Sequence, residues 1–172
     1  MSLLNWELNG NLIETEYAEY NEVNEIFISR GLTKITTSQN FEIIGENINY
    51  DNKNKIIKSS NAATLTDIDG NTITLSNFEF ENDVGIFKSI GKIKIKDKLE
   101  NSYEFSQIYI DTKTREVVGS DVKAFINSQE FKLDKDNKPR IFANTISIKN
   151  ENLEFKKEIF TNCNYRQNDK CP

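Results

Sequence analysis

A four-residue pattern, apolar, any, apolar, then Asn or an acid, starts at positions 18, 48, 78 and 108, so its copies lie 30 residues apart each time. A fixed period of this size constrains the fold more than any local propensity. It marks one supersecondary unit, stacked on its neighbours because no single unit can bury its apolar face alone. Flanking columns keep the register: Ile13, Ile43, Ile73 and Tyr103 upstream, then Thr15, Gly45, Leu75 and Phe105, and downstream Phe27, Ile57, Phe87 and Val117. A fifth copy, Ile141, Ala143, Ile146 and Ile148 with Asn150 beyond, follows an eight-residue slip that residues 134–139 can absorb as a longer turn.

Within each unit apolar and polar residues alternate with period two, as in Ile93, Lys94, Ile95, Lys96, and no 3.6-residue pattern is sustained. The units are therefore strands. Their phase slips once per outgoing arm: Ile73 and Leu75 are odd, Phe78 and Phe80 even, with the same step between Phe105 and Ile108 and between Ala143 and Ile146. One extra residue is accommodated there, as at a β-bulge or a corner between sheets. Small or turn-tolerant residues recur in the returning arm, Ser29, Ser59, Ser89 and Gly119, then Gly31, Asn61, Gly91 and Asp121. The predicted fold is all-β: bent antiparallel strands stacked as a jelly-roll or taco of two facing sheets, with a short β-solenoid as the alternative. Such an array exposes unpaired backbone on its end strands, and the strand near Leu12 to Tyr20 is expected to lack a partner in this chain.

Composition narrows the chemistry. With 172 residues the chain suits one domain, and its Lys+Arg total of 22 against 27 Asp+Glu leaves a charge of −5 without a basic face for nucleic acid. There is no histidine, which removes Ser-His-Asp and Cys-His catalysis and His-ligated metal. No stretch approaches the roughly 20 apolar residues of a membrane helix, and the N-terminus lacks the pattern of a signal peptide. Only two cysteines occur, Cys163 and Cys171, and they can close a small loop in an oxidising compartment.

The copies of a Tyr/Phe-Asp/Glu turn, a Ser-x-Gly/Asn corner and an apolar strand running to Asp-Gly are Tyr50-Asp51 to Asn61, Phe80-Glu81 to Gly91, and Ala63 to Asn71. In these the sequence resembles the OstA-like periplasmic domains of the lipopolysaccharide transport family. Its end, Glu158 through Pro172 with both cysteines, resembles the connection that leads from such a domain into an outer-membrane barrel. The resemblance implies a division into residues 1–11, a leader or cloning remnant with the lead-in to the first strand, 12–157, the repeat-built domain, and 158–172, the cysteine-bearing connector. A fragment of a longer Gram-negative periplasmic and outer-membrane protein is thus expected.

For function the resemblance implies passage of lipopolysaccharide, with acyl chains in an apolar groove and sugars outside, and no enzyme activity or cofactor. The groove residues would be Ile43, Ile73, Leu75, Phe78, Phe80, Phe87, Ile93, Ile95, Phe105, Ile108, Ile110, Ile141, Ile146 and Ile148. Implied partners are the periplasmic bridge protein of the same system, joined by edge-strand addition, and the chain's own barrel with its plug lipoprotein. Cys163 and Cys171 would pair with each other or with the barrel.

Each feature also has a plainer reading. The columns suit an ordinary packed core, as in a structural β-solenoid of a surface or adhesin-type protein with a dry interior. Asp67, Asp69 and Asn71 lack the later Glu ligand of a calcium loop and read as a hairpin turn. Glu79, Glu81 and Asp83 resemble an acid pair, yet alternation points the two glutamates outward, toward solvent. Two thiols without histidine make an incomplete metal site.

Overall fold

The alternation is realised as strands throughout the computed structural model, which describes residues 4–127, 139–149 and 152–161. In chain order they are β1 (Leu4–Leu8), β2 (Asn11–Asn21), β3 (Ile26–Thr36), β4 (Glu42–Glu46), β5 (Asn49–Asp51), β6 (Ile56–Ser59), β7 (Ala63–Thr66) and β8 (Thr72–Leu75). They continue with β9 (Phe78–Glu81), β10 (Ile86–Lys96), β11 (Ser102–Asp111), β12 (Glu116–Phe125), β13 (Arg140–Lys149), β14 (Asn152–Lys156) and β15 (Ile159–Thr161). All pairings are antiparallel, and each outgoing arm pairs with the returning arms beside it.

Long strands such as β3 and β10 run through a bend and belong to two sheets. Between them the hydrogen-bonded path divides, through β4, β7 and β8 on one side and β5, β6 and β9 on the other. The first sheet also holds β1, the early half of β2 and β15; the second holds β14. This is the predicted pair of facing sheets.

The corner sits where the phase slip placed it. Register shifts fall between Thr15 and Tyr17 and between Ile90 and Ile93, and the middle arms break into separate strands at 46–49, 59–63 and 75–78. Gly31 and Gly91 have φ of 76° and 115° there, a region that costs an L side chain energy. Asn61 departs from its column: it carries no positive φ, and its arm is interrupted instead.

The serine column closes the hydrogen bonds that the bend opens. Ser59 Oγ donates to Glu46 O at 2.8 Å and Ser89 Oγ to Asn77 O at 2.6 Å, while Ser29 Oγ accepts from Ile48 N at 3.0 Å and from Thr33 Oγ1 at 2.7 Å. Ser29 is fully buried, so Ser29→Ala strands the Ile48 N–H and should destabilise the chain by about 1–3 kcal/mol in urea unfolding. A loss below about 0.5 kcal/mol would show that the corner does not need this bond.

The hairpin turns repeat as backbone conformations even where the residues differ. Glu25, Lys55, Gly85 and Arg115 share φ of 54° to 79° at one end, and Gly10, Asn40, Gly70 and Glu100 share 62° to 83° at the other. The expectation of an unpaired strand near Leu12 to Tyr20 is corrected for its first half. Asn9 and Gly10 form a two-residue turn with both φ positive, the geometry that folds a hairpin, so β1 pairs with residues 11–15 from Leu4↔Thr15 to Leu8↔Asn11.

Candidate functional site

Alternation sends the apolar columns of both sheets inward. Of the predicted groove residues, Ile43, Ile73, Leu75, Phe78, Phe80, Phe87, Ile93, Phe105, Ile108, Ile110 and Ile146 are buried, and Ile95, Ile141 and Ile148 are half-buried. All but Ile141 meet in one cluster, with Phe78 stacked on Phe87 at a centroid separation of 5.7 Å and Phe80 at 6.2 Å from the same ring. The cluster also takes in Ile13, Phe27, Ile35, Ile48, Tyr50, Ile57, Leu65 and Val122, which the groove set omitted. Ile13, Phe27 and Ile57 were legible as columns; Ile35 and Leu65 occupy equivalent positions on the returning arm.

These side chains fill the space they enclose. Around Thr37, Phe41, Ile43, Leu65, Phe80, Phe87 and Thr112, where the sheets face each other, no volume is open even to a water molecule. A pocket for a lipid-sized ligand takes roughly 300–1,000 Å³. The N-terminal end is closed by Trp6 of β1, whose ring lies 5.6 Å from Phe27 and 6.3 Å from Tyr20 on the opposite sheet.

Opposite the corner the two rows of turns meet in a seam. Asn9 Nδ2 donates to Tyr50 OH at 2.9 Å and to Asn52 Oδ1; Gln39 Nε2 donates to Asn82 O at 3.4 Å and Gln39 Oε1 accepts from Thr112 Oγ1 at 2.7 Å; Asp69 lies 3.4 Å from Arg115. Positions 9, 39 and 69 keep the 30-residue spacing, and Leu99, 55% exposed, is next in the row. Sequence reasoning missed this seam, although the row was present in the period.

Ile35, Ile43, Phe27, Tyr50 and Ile57 are fully buried, whereas Ile95, Tyr103, Val117, Ile141, Ile148 and Phe155 toward the C-terminal end are half-buried, as are Trp6, Leu8, Tyr20 and Phe41 nearer the N-terminus. Leu153 and Phe160, which pair with the inward Ile148 and Ile141, are 47% and 62% exposed. Half-buried apolar side chains therefore border the fully buried cluster at both ends.

The polar candidates are occupied by structure. Asp67 Oδ1 accepts the N–H groups of Asp69 and Asn71 at 2.9 and 2.8 Å and its Oδ2 accepts Asn71 Nδ2 at 2.7 Å, a closed turn that Asp97 and Asn101 repeat. Glu79 and Glu81 lie on the outer face against Lys88, whose ammonium pKa is raised chiefly by the Glu81 hydrogen bond; Asp83 is exposed in the following turn. The Asp51 and Asp111 carboxyls are held below the ordinary aspartate range, first by the backbone N–H groups of Asn54 and Thr114. An open depression of about 580 Å³ lies over the outside of the corner, lined by polar residues such as Asn49, Lys58, Asn77 and Glu79 and by Phe78 and Ile90. Cys163 and Cys171 lie outside the described residues.

No family model matches the sequence, and no curated protein matches it. Among solved structures the chain is similar to LptH, the LptA homologous periplasmic component of the conserved lipopolysaccharide transport device from Pseudomonas aeruginosa. The TM-score is 0.56 at 16% identity, over 64% of this chain and 81% of that one. The likeness is one of fold, a β-jelly-roll of two facing sheets.

Proposed function

We propose that this chain is a periplasmic lipopolysaccharide-transport domain that shelters lipid A acyl chains between its two sheets, performs no bond chemistry and needs no cofactor. The observation that carries the reading is the continuous apolar interior of a two-sheet jelly-roll, with apolar side chains left half-buried at its C-terminal rungs, in a fold shared with a transport component. Acyl chains need apolar contact without fixed hydrogen bonds, and the groove columns offer Ile and Phe for that purpose. Half-buried Ile95, Tyr103, Ile141, Ile148 and Phe155 would meet a chain first.

The finer assignment within the proposal is the N-terminal domain of the outer-membrane assembly protein LptD, with residues 158–172 leading to a barrel that holds a plug lipoprotein. The bridge protein would add a strand at an exposed edge: β1, or residues 17–21 of β2, which pair only with β3 among the described residues. Proline at Ile13 or Thr15 is accordingly a poor probe of docking, since that half-strand is covered by β1.

A second reading is favoured by the filled interior around Phe80 and Phe87: a structural β-solenoid with a dry core. Photo-crosslinking separates the two. Probes at Phe105, Ile108 and Ile148 should label with lipopolysaccharide at least tenfold more than probes at outward Glu79, Lys94 and Tyr109. Equal labelling of the two sets would exclude an interior path and leave the solenoid.

A further inference from the structure

We propose that the hollow over the outside of the corner is a saccharide-binding site, which takes an uncharged stretch of an oligosaccharide. It lies on the outer surface, so it stands whether or not acyl chains enter the interior. Its shape follows from the middle arms, which break at the corner between β4 and β5, β6 and β7, and β8 and β9 where β3 and β10 run through. The floor is an outward row in register across four strands, Asn49, Lys58, Glu79 and Lys88, and the wall is formed by Asn47, Ser60, Asn77 and Ile90 from the corner itself. The volume of about 580 Å³ is within the roughly 300–1,000 Å³ of small-molecule sites.

The polar groups here are not used up by the fold. Asn47, Asn49, Lys58 and Ser60 make no side-chain hydrogen bond among the described residues. Farther along the same corner such groups satisfy one another, as where Ser106 Oγ lies 3.1 Å from Ser120 Oγ and donates to Asp121 Oδ2 at 2.5 Å. Asn49 is half-buried, so its amide is partly withdrawn from water, and only what enters the hollow can meet it. Asn77 fixes the rim: its Nδ2 donates to Ile90 O at 2.5 Å and its Oδ1 accepts from Ile90 N at 3.3 Å. Ile90, 64% exposed, is thereby held as an apolar wall over the polar floor.

Charge and chemistry select the ligand. Lys58 and Lys88 stand against Glu79 and Glu81, with Lys88 hydrogen-bonded to Glu81 and 3.9 Å from Glu79, so the floor favours neither an anion nor a cation. What it offers is donors and acceptors side by side: amides supply both, lysine only donors, glutamate only acceptors. A sugar hydroxyl is itself one donor and two acceptors, so neighbouring hydroxyls can be met in pairs, while the C–H face of the ring covers Ile90 and the edge of Phe78. The outward row continues from Lys88 to Tyr109, whose ring is 43% exposed. At the usual strand separation the five positions from Asn49 to Tyr109 span about 19 Å, enough for several sugar units in line.

Heteronuclear NMR titration of the full 172-residue chain tests the site with two lipid-free probes, chitotetraose and the deacylated core oligosaccharide of lipopolysaccharide. At least one should saturate, shifting the side-chain amides of Asn47, Asn49 and Asn77 and the backbone amides of residues 58–60 and 88–90, and leaving residues 140–149 unmoved. Saturation by chitotetraose alone identifies a free glycan strand as the ligand, and saturation by the core alone identifies the sugar part of a lipid; either supports the site. Asn49→Ala and Lys58→Met should each weaken the saturating probe fivefold or more. Thr74→Ala, outward on the other sheet, should leave its affinity unchanged. The spectrum of each variant reports its folding, and if one of the two hollow variants loses its dispersion the other decides. No saturable shift with either probe, or an affinity unchanged in the folded variants, overturns the proposal.

Discussion

Phe78→Asp is expected to abolish the cooperative unfolding transition at room temperature. The ring is 3% exposed and stacked on Phe87 with an interplanar angle of 8°, so the change removes both a core aromatic and its partner contact. Truncating a buried Phe costs about 3–5 kcal/mol, and placing a polar group without a partner there adds roughly 2–7 kcal/mol. Together, about 5–12 kcal/mol, these are comparable with the 5–15 kcal/mol typical of a whole domain. Phe78→Leu, which keeps the apolar character, should lose only about 1–2 kcal/mol, and Glu79→Ala on the outer face of the same strand less than about 1 kcal/mol. Urea titration followed by circular dichroism reads all three. A Phe78→Asp protein that unfolds within about 1 kcal/mol of the parent would mean that Phe78 does not face the interior.

Gly119→Val should destabilise by about 3 kcal/mol although valine is the better strand former, because space decides here and not propensity. Gly119 stands in the column occupied elsewhere by serine, in β12 between Ile108 and Ile146. A Cβ built on it would overlap the ring edge of Phe105 and lie 3.3 Å from Ile146 Cγ2. The clash is specific, which gives the test its second arm. In Phe105→Ala the ring is gone, so adding Gly119→Val should cost less than in the parent, with a coupling of at least 1 kcal/mol in a double-mutant cycle. Additive losses would show that the glycine is required for another reason.

How much of this was legible without coordinates differs by level. Alternation, period and phase slip are local properties of a strand, since side chains point to opposite faces with period two whatever the strand packs against. The inward direction of Phe78 and Phe80, the outward direction of Glu79 and the corner between Leu75 and Phe78 follow from them directly. So does the Asp67 turn, where a short carboxylate caps its own backbone. The β1 hairpin has its local signal as well, in Asn9 and Gly10, but its first strand is short and lies outside the 30-residue repeat.

The interior was legible in its membership and hidden in its state. That Ile43, Phe80 and Phe87 belong to one interior is a matter of register; that they leave no space between them depends on how far apart the two sheets stand. That distance is set by contacts between residues far apart in sequence, Gln39 with Asn82 and Thr112, Asn9 with Tyr50, and Trp6 with Phe27. Left-handed turn residues such as Lys55 and Arg115 illustrate the same limit, since neither residue type favours that backbone and the stacked turns above and below impose it. By itself, then, the sequence determined the repeat, the strands, the bend and the inward faces, because each depends on neighbours a few residues away or one period away. Only the tertiary structure decided that the interior is filled around Phe80 and Phe87 and seamed at Asn9, Gln39 and Asp69, because that depends on side chains that meet only once the two sheets have folded onto each other.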